Sequence, residues 1–166
     1  MSVTRRRFLV GVGAASATIL ATAACARSAT ASPAPAGQFE VTHTDAEWKQ
    51  LLNGEQYDVL RQAGTETPYS SPLNDEHRHG TFVCAGCALD LFSSDTKFDS
   101  GTGWPSFWQP LANAVIERDD GSLGMTRTEV LCRRCGGHLG HVFDDGPKPT
   151  GLRYCMNGVA MKFRAT

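Results

Sequence analysis

The chain has 166 residues, 41% of them apolar, enough for one hydrophobic core and one domain. Its charge is uneven: residues 1–37 carry four arginines (Arg5, Arg6, Arg7, Arg27) and no acidic residue, and the remainder carries 12 basic against 17 acidic side chains. A mildly acidic body argues against nucleic acid or anionic lipid as the main partner.

The basic end, residues 1–26, reads as an export signal. Thr4-Arg-Arg-Arg-Phe-Leu9 carries a twin-arginine signature, and Val10 to Ala24 is a Gly- and Ala-rich stretch followed by small residues that suit a signal peptidase. It fits a membrane span poorly, because spanning takes about 20 strongly apolar residues. Cys25, after Thr22-Ala-Ala, leaves open a lipidated N-terminus. Twin-arginine signals resemble addresses for a route that carries folded proteins, so the expected destination is periplasmic or otherwise extracytoplasmic. Residues 27–38 (RSATASPAPAGQ) lack bulky apolar groups and read as a disordered spacer, leaving 39–166 as the folded domain.

Thr44-Asp-Ala-Glu47 has the form of a capping box and leads into Trp48, Leu51 and Leu52, which predicts a short helix to about Leu52. Glu55 to Ala63 offers Tyr57, Val59 and Leu60 for a second, stopped by Gly64. A loop rich in Pro, Ser and Asn follows from Thr65, then a strand over Gly80 to Cys84. Ala112 to Arg118 and Met125 to Leu131 predict a β-hairpin about the turn Asp119 to Ser122. Leu152 to Cys155 and Val159 to Phe163 add strands. With no βαβ alternation, the expected fold is mainly β: antiparallel sheets with two short N-terminal helices and a four-cysteine zinc site.

That site rests on two Cys-x-x-Cys turns, Cys84/Cys87 and Cys132/Cys135, either side of the hairpin. Four thiolates supplied in pairs from tight turns form the closed tetrahedral pattern of structural zinc. Gly86, Gly136 and Gly137 are expected to let the backbone turn around sulfur. Rival readings are redox or structural disulfides; the first expects βαβ structure, and the second gains little from such small loops. Cys132, Cys135, His138 and His141 offer another ligand set, but it would strand Cys84 and Cys87.

If the turns use four thiols and Cys25 leaves with the signal, Cys155 remains. A single cysteine is most often a small buried hydrophobe. Arg153 can lower its pKa if close, however, and two histidines in the same Gly-rich segment supply the acid that a nucleophilic thiolate needs.

Phe98-Asp-Ser-Gly-Thr-Gly-Trp-Pro-Ser-Phe107, Arg127-Thr-Glu-Val130, Gly137-His-Leu-Gly-His-Val-Phe-Asp-Asp-Gly-Pro147 and Gly151-Leu-Arg-Tyr-Cys-Met-Asn157 resemble the signature blocks of the methionine sulfoxide reductase B family, the peptide-methionine (R)-S-oxide reductases. The resemblance runs from about Trp48 to Phe163 and implies that the antiparallel sheets number two antiparallel sheets in all, with the zinc site beside them. It implies that Cys155 attacks the sulfoxide sulfur and is left as a sulfenic acid, and that His138, His141 and Asn157 bind and help protonate the oxygen. It further implies that Trp104 packs against the substrate's S-methyl group, that Arg153 tunes the thiol and that Phe143 lines the pocket. The substrate would be methionine-R-sulfoxide, free or in proteins, the reductant a thioredoxin-like protein or a small thiol, and the role repair after oxidative stress. Each residue also has a plain reading: Trp104 and Phe143 as core aromatics, the histidines as structural groups, and Asp144-Asp-Gly-Pro147 as a turn with solvated acids.

Two positions depart from the family pattern. Thr102 stands where many members carry a resolving cysteine, so regeneration is expected from an external thiol, or from Cys25 if the N-terminal segment survives and reaches. Gly158 stands where serine is usual, which puts one local hydrogen bond in doubt. A non-catalytic zinc module would account for the Cys-x-x-Cys turns, though not for Cys155, Trp104 and the histidines.

Overall fold

Local hydrogen bonding fixes the first two elements of the computed structural model, which describes residues 39–124 and 126–166; the stretches expected to be a signal and a spacer, with Cys25, lie outside these. Helix α1 (Asp45–Leu51) opens with the predicted capping box, Thr44 and Glu47 each accepting from the other's backbone N–H. Helix α2 (Gly54–Gln62) has a second box, Asn53 with Gln56. Its stop differs from expectation: Ala63, not Gly64, takes the left-handed conformation (φ 54°), and the Asp58 carboxylate fills the space beside Gly64. The helices turn Trp48, Leu52, Val59 and Leu60 inward, with Trp48 against Gly86 and Leu60 against Gly137. They therefore cover the two Cys-x-x-Cys turns.

Among the described residues, nine antiparallel strands form two sheets. In chain order they are β1 (Gly80–Cys84), β2 (Asp90–Ser93), β3 (Lys97–Phe98), β4 (Ser106–Phe107), β5 (Val115–Asp120), β6 (Arg127–Cys132), β7 (His138–Phe143), β8 (Arg153–Met156) and β9 (Met161–Ala165). The smaller sheet has the order β2-β1-β9 and the larger β3-β4-β8-β7-β6-β5. Their inner faces meet through aromatic rings: Phe92 stacks on Phe107 (4.4 Å between centroids) and Phe82 meets Phe107 edge-on (4.9 Å). All three rings are fully buried with Leu91, Val130, Leu139 and Met156, and burying each such side chain stabilises the fold by about 1.5–3 kcal/mol.

Several boundaries shift from the sequence reading. The hairpin's first arm runs on through Asp119 and Asp120, placed in the turn by residue type alone, because the Asp120 carboxylate is drawn inward to Arg127 and His141. Residues 158–160 form a 3-10 turn instead of starting the last strand. Strands β2, β3, β4 and β7 went unpredicted.

Candidate active site

The four paired cysteines converge. Cys84 Sγ lies 3.7 Å from Cys135 Sγ, Cys87 Sγ lies 3.5 Å from Cys132 Sγ, and all four sulfurs fall within 4.8 Å of one another. These separations are too long for disulfides at about 2.05 Å. They suit a tetrahedron, whose edges are about 3.8 Å when the metal–sulfur distance is about 2.3 Å. The four residues can hold a metal ion, and His138 and His141 are not part of the group. Each turn is closed by a residue in left-handed conformation after its second cysteine, Gly136 (φ 68°) and, against expectation, Ala88 (φ 58°). Gly86 is not one of them; its place is set by the Trp48 and Leu60 side chains against it.

The lone cysteine lies on the larger sheet, in a row of strand partners running Ser106, Cys155, His141, Glu129, Arg118 across β4, β8, β7, β6 and β5. Partners in an antiparallel ladder point to the same face, so these groups share one surface. His138 joins them through a β-bulge. Leu131 pairs with His138 and Val130 with Gly140, leaving Leu139 as the extra residue, and that extra residue brings positions three apart to one face of a strand. Gly140 is required there, since a Cβ would strike the Cys155 carbonyl oxygen.

Each imidazole is held by a carboxylate. His138 Nδ1 donates to Glu129 Oε1 (2.7 Å), whose other oxygen accepts from Arg118 Nε and Nη2. His141 Nε2 donates to Asp120 Oδ2 (2.8 Å), which also accepts from Arg127. Burial would raise Glu129, but the His138 and Arg118 hydrogen bonds hold it below its ordinary range. His141 is held below its usual value, with burial outweighing the Asp120 contact. His138 is buried against His141 (5.4 Å between ring centroids), and its Nε2 is a buried atom without a partner.

A pocket of about 150 Å³ opens on this face, lined by Thr65, Trp104, Arg127, His141, Phe143, Cys155 and Asn157 with Gly140 at its base. It unites five residues marked in the sequence: Trp104, His141, Phe143, Cys155 and Asn157. His138 and Arg153 lie outside its wall. Arg153 packs over the Phe143 ring (4.5 Å) and makes a two-pronged salt bridge to Asp145, each contact 2.8 Å, so Asp145 is not simply solvated as the turn reading had it. That bridge lowers the Asp145 carboxyl and raises Arg153. Burial pushes the Cys155 thiol up; the Thr102 hydroxyl and Arg153 pull the other way without overcoming it.

One residue that the sequence did not mark organises this pocket. The Glu66 carbonyl accepts from the Trp104 indole N–H (3.2 Å), and its N–H donates to Asn157 Oδ1 (3.0 Å). Its carboxylate accepts from the backbone N–H groups of Gly158 (2.6 Å) and Val159 (2.9 Å). Burial raises the Glu66 carboxyl against those two bonds. The departure at Gly158 has its explanation here: a Cβ would collide with the Ser71 side chain. Asn157 spends one amide hydrogen on the Leu139 carbonyl (3.1 Å), which leaves the other for the pocket. Glu129 was also missed, although it lies inside the Arg127-to-Val130 block. For Glu66 only its partners give a signal, and they are 38 to 93 positions away.

A thiol beside an imidazole, an amide donor and two aromatic rings can attack an electrophilic atom and deliver a proton to what leaves it. Residues 52–165 match the SelR domain family. The chain is 55% identical over 127 residues to the peptide methionine sulfoxide reductase MsrB of Leptospira interrogans, covering 76% of this chain and 97% of that protein. The MsrB proteins of Herminiimonas arsenicoxydans (53% over 128 residues; 76% and 93%) and Methanosarcina barkeri (52% over 128 residues; 76% and 90%) are similar to the same degree.

Proposed function

The chain belongs to the MsrB family of peptide methionine sulfoxide reductases, which makes it an oxidoreductase of methionine sulfoxide, and from that premise we propose how its own residues carry the reaction. Cys155 is the nucleophile toward methionine-R-sulfoxide, free or in proteins. His141, its partner across β7 and β8, takes the thiol proton and passes it to the sulfoxide oxygen as sulfur attacks sulfur. The hydroxyl then moves to the Cys155 sulfur, the transient S–S bond and the S–O bond of the substrate both break, methionine leaves as the thioether, and a sulfenic acid remains on Cys155. Thiol plus sulfoxide thus balances sulfenic acid plus thioether with no outside proton.

Trp104 forms the wall for the S-methyl group and so selects the epimer, with Phe143 opposite and the free amide hydrogen of Asn157 on the oxide. His138 supports His141 from the buried side, and Arg153 adds positive charge near the thiol while Asp145 fixes its direction. Thr102 lies against Cys155 (Oγ1 to Sγ 3.9 Å) and cannot form a disulfide, so an external thiol, of a thioredoxin-like protein or a small molecule, restores the enzyme. Zinc is the ion that fits the four-cysteine cluster; Cys84, Cys87, Cys132 and Cys135 would hold it, and it would neutralise their thiolates and pin the two turns. The signal-like N-terminus supports export by the twin-arginine route to an extracytoplasmic site of protein repair.

The observation that carries this reading is the convergence of Cys155, His141, Asn157 and Trp104 on one pocket. Its test is Cys155→Ser, which abolishes reduction of the R epimer and leaves bound metal intact. Turnover persisting in that variant refutes the assignment. Without reductant, the wild-type protein loses one thiol for each methionine released.

A further inference from the structure

We propose that Thr102, Ser100 and Ser106 form a chain of hydroxyls that ends on the Cys155 sulfur and reverses direction when that sulfur ionises, so that Thr102 donates to the thiolate. The proposal rests on the reading of Cys155 as nucleophile and assigns Thr102 a catalytic part where the family pattern offers only a missing thiol. The contacts are continuous: Thr102 Oγ1 to Cys155 Sγ 3.9 Å, Ser100 Oγ to Thr102 Oγ1 2.8 Å, Ser100 Oγ to Ser106 Oγ 2.8 Å, and Ser106 Oγ to the Trp104 carbonyl oxygen 3.1 Å. Ser106 is fully buried and is the β4 partner of Cys155, so its hydroxyl has to be satisfied inside the protein.

Counting hydrogens gives the direction. A hydroxyl has one hydrogen and accepts through its lone pairs. With a neutral thiol, four hydrogens meet four contacts: the thiol donates to Thr102, Thr102 to Ser100, Ser100 to Ser106, and Ser106 to the Trp104 carbonyl. Once the thiol proton has gone, three hydrogens remain. The arrangement that serves the charge runs the opposite way, from Ser106 to Ser100 to Thr102 to the sulfur, and releases the Trp104 carbonyl. Each hydroxyl turns about its own C–O bond, and no heavy atom has to move. The loop is held for this: Tyr69 donates from its backbone N–H to the Gly103 carbonyl (2.7 Å) and from its hydroxyl to the Gly101 carbonyl (2.6 Å). The Thr102 hydroxyl acts against the upward push of burial on the thiol, together with Arg153.

The test is the pH dependence of Cys155 alkylation by iodoacetamide in the full-length, metal-bound protein, followed by peptide mass. Besides the hydroxyl, the charged or titratable groups around the sulfur are Arg153 on β8 with Asp145, His141 on β7 with Asp120, and Arg127 on β6; all are unchanged in the variants. Thr102→Val, which keeps the shape and removes the hydroxyl, moves the midpoint upward and slows alkylation near neutral pH roughly three- to tenfold, the size of one ordinary hydrogen bond, as suits a 3.9 Å contact to sulfur. Thr102→Ser restores the wild-type midpoint, and Ser100→Ala falls between. A Thr102→Val midpoint equal to wild type, or a Thr102→Ser midpoint displaced as far as that of Thr102→Val, overturns the proposal. Its failure is separate from failure of the nucleophile assignment, which is read from sulfoxide turnover by Cys155→Ser.

Discussion

Changing Glu66 to glutamine perturbs the substrate pocket without touching any group that lines up on the sulfur. The carboxylate accepts two backbone N–H groups, at 2.6 and 2.9 Å; an amide offers one oxygen and turns an NH2 toward the other donor. Loss of one hydrogen bond to a charged acceptor is worth about 1.5–3 kcal/mol. Glu66 and Val159 also border a cavity of about 510 Å³ that admits water, so the lower end applies, about 1.5 kcal/mol, or roughly 5 °C in Tm for a domain of this size. The same backbone holds Trp104 and Asn157, so kcat/KM for methionine-R-sulfoxide should fall about tenfold. Scanning calorimetry and steady-state kinetics measure the two effects. A Glu66→Gln enzyme with unchanged Tm and unchanged kcat/KM would show that water replaces the carboxylate and that Trp104 and Asn157 hold themselves in place.

Thr102→Cys should form a disulfide with Cys155 after a single turnover without reductant, visible by mass. Cross-linking positions 53 apart should then raise stability by at most about 4 kcal/mol; no disulfide would mean that the two side chains do not meet in solution. Chelation, or Cys84→Ser, should release one metal ion per chain and lower Tm sharply, because binding at such sites is worth about 10 kcal/mol or more; an unchanged Tm in metal-free protein would count against a structural role. Stability should fall as pH drops, in two windows, offset in part by Glu66, whose raised carboxyl favours the fold when protonated. The His141 pKa is held below its unfolded value, so its contribution is present above about pH 6.5 and lost below it, while Glu129, Asp120 and Asp145 are held low and lose theirs below about pH 4. Urea midpoints across pH measure this, and Asp145→Asn should flatten the lower window; a profile that rises with acidification would reverse the argument.

What the sequence determined by itself is what short-range chemistry decides. The capping boxes at Thr44 and Asn53 bond residues three apart; the first was legible from its residues, and the second went unread. The two Cys-x-x-Cys turns carry their pairing in their spacing, which leaves Cys155 as the odd thiol of the domain. Strand β7 was missed because Leu139 interrupts the period of two that marks a strand, and the interruption is the same bulge that brings His138 and His141 to one face. Only the tertiary structure could decide that Glu129 and Asp120 hold the imidazoles, that Asp145 directs Arg153, that Glu66 reaches across the chain to Gly158 and Val159, and that three hydroxyls end at Cys155. Residue type and spacing record how a segment meets its own neighbours, whereas register between distant strands and the closeness of a loop to a pocket exist only once the sheets have paired.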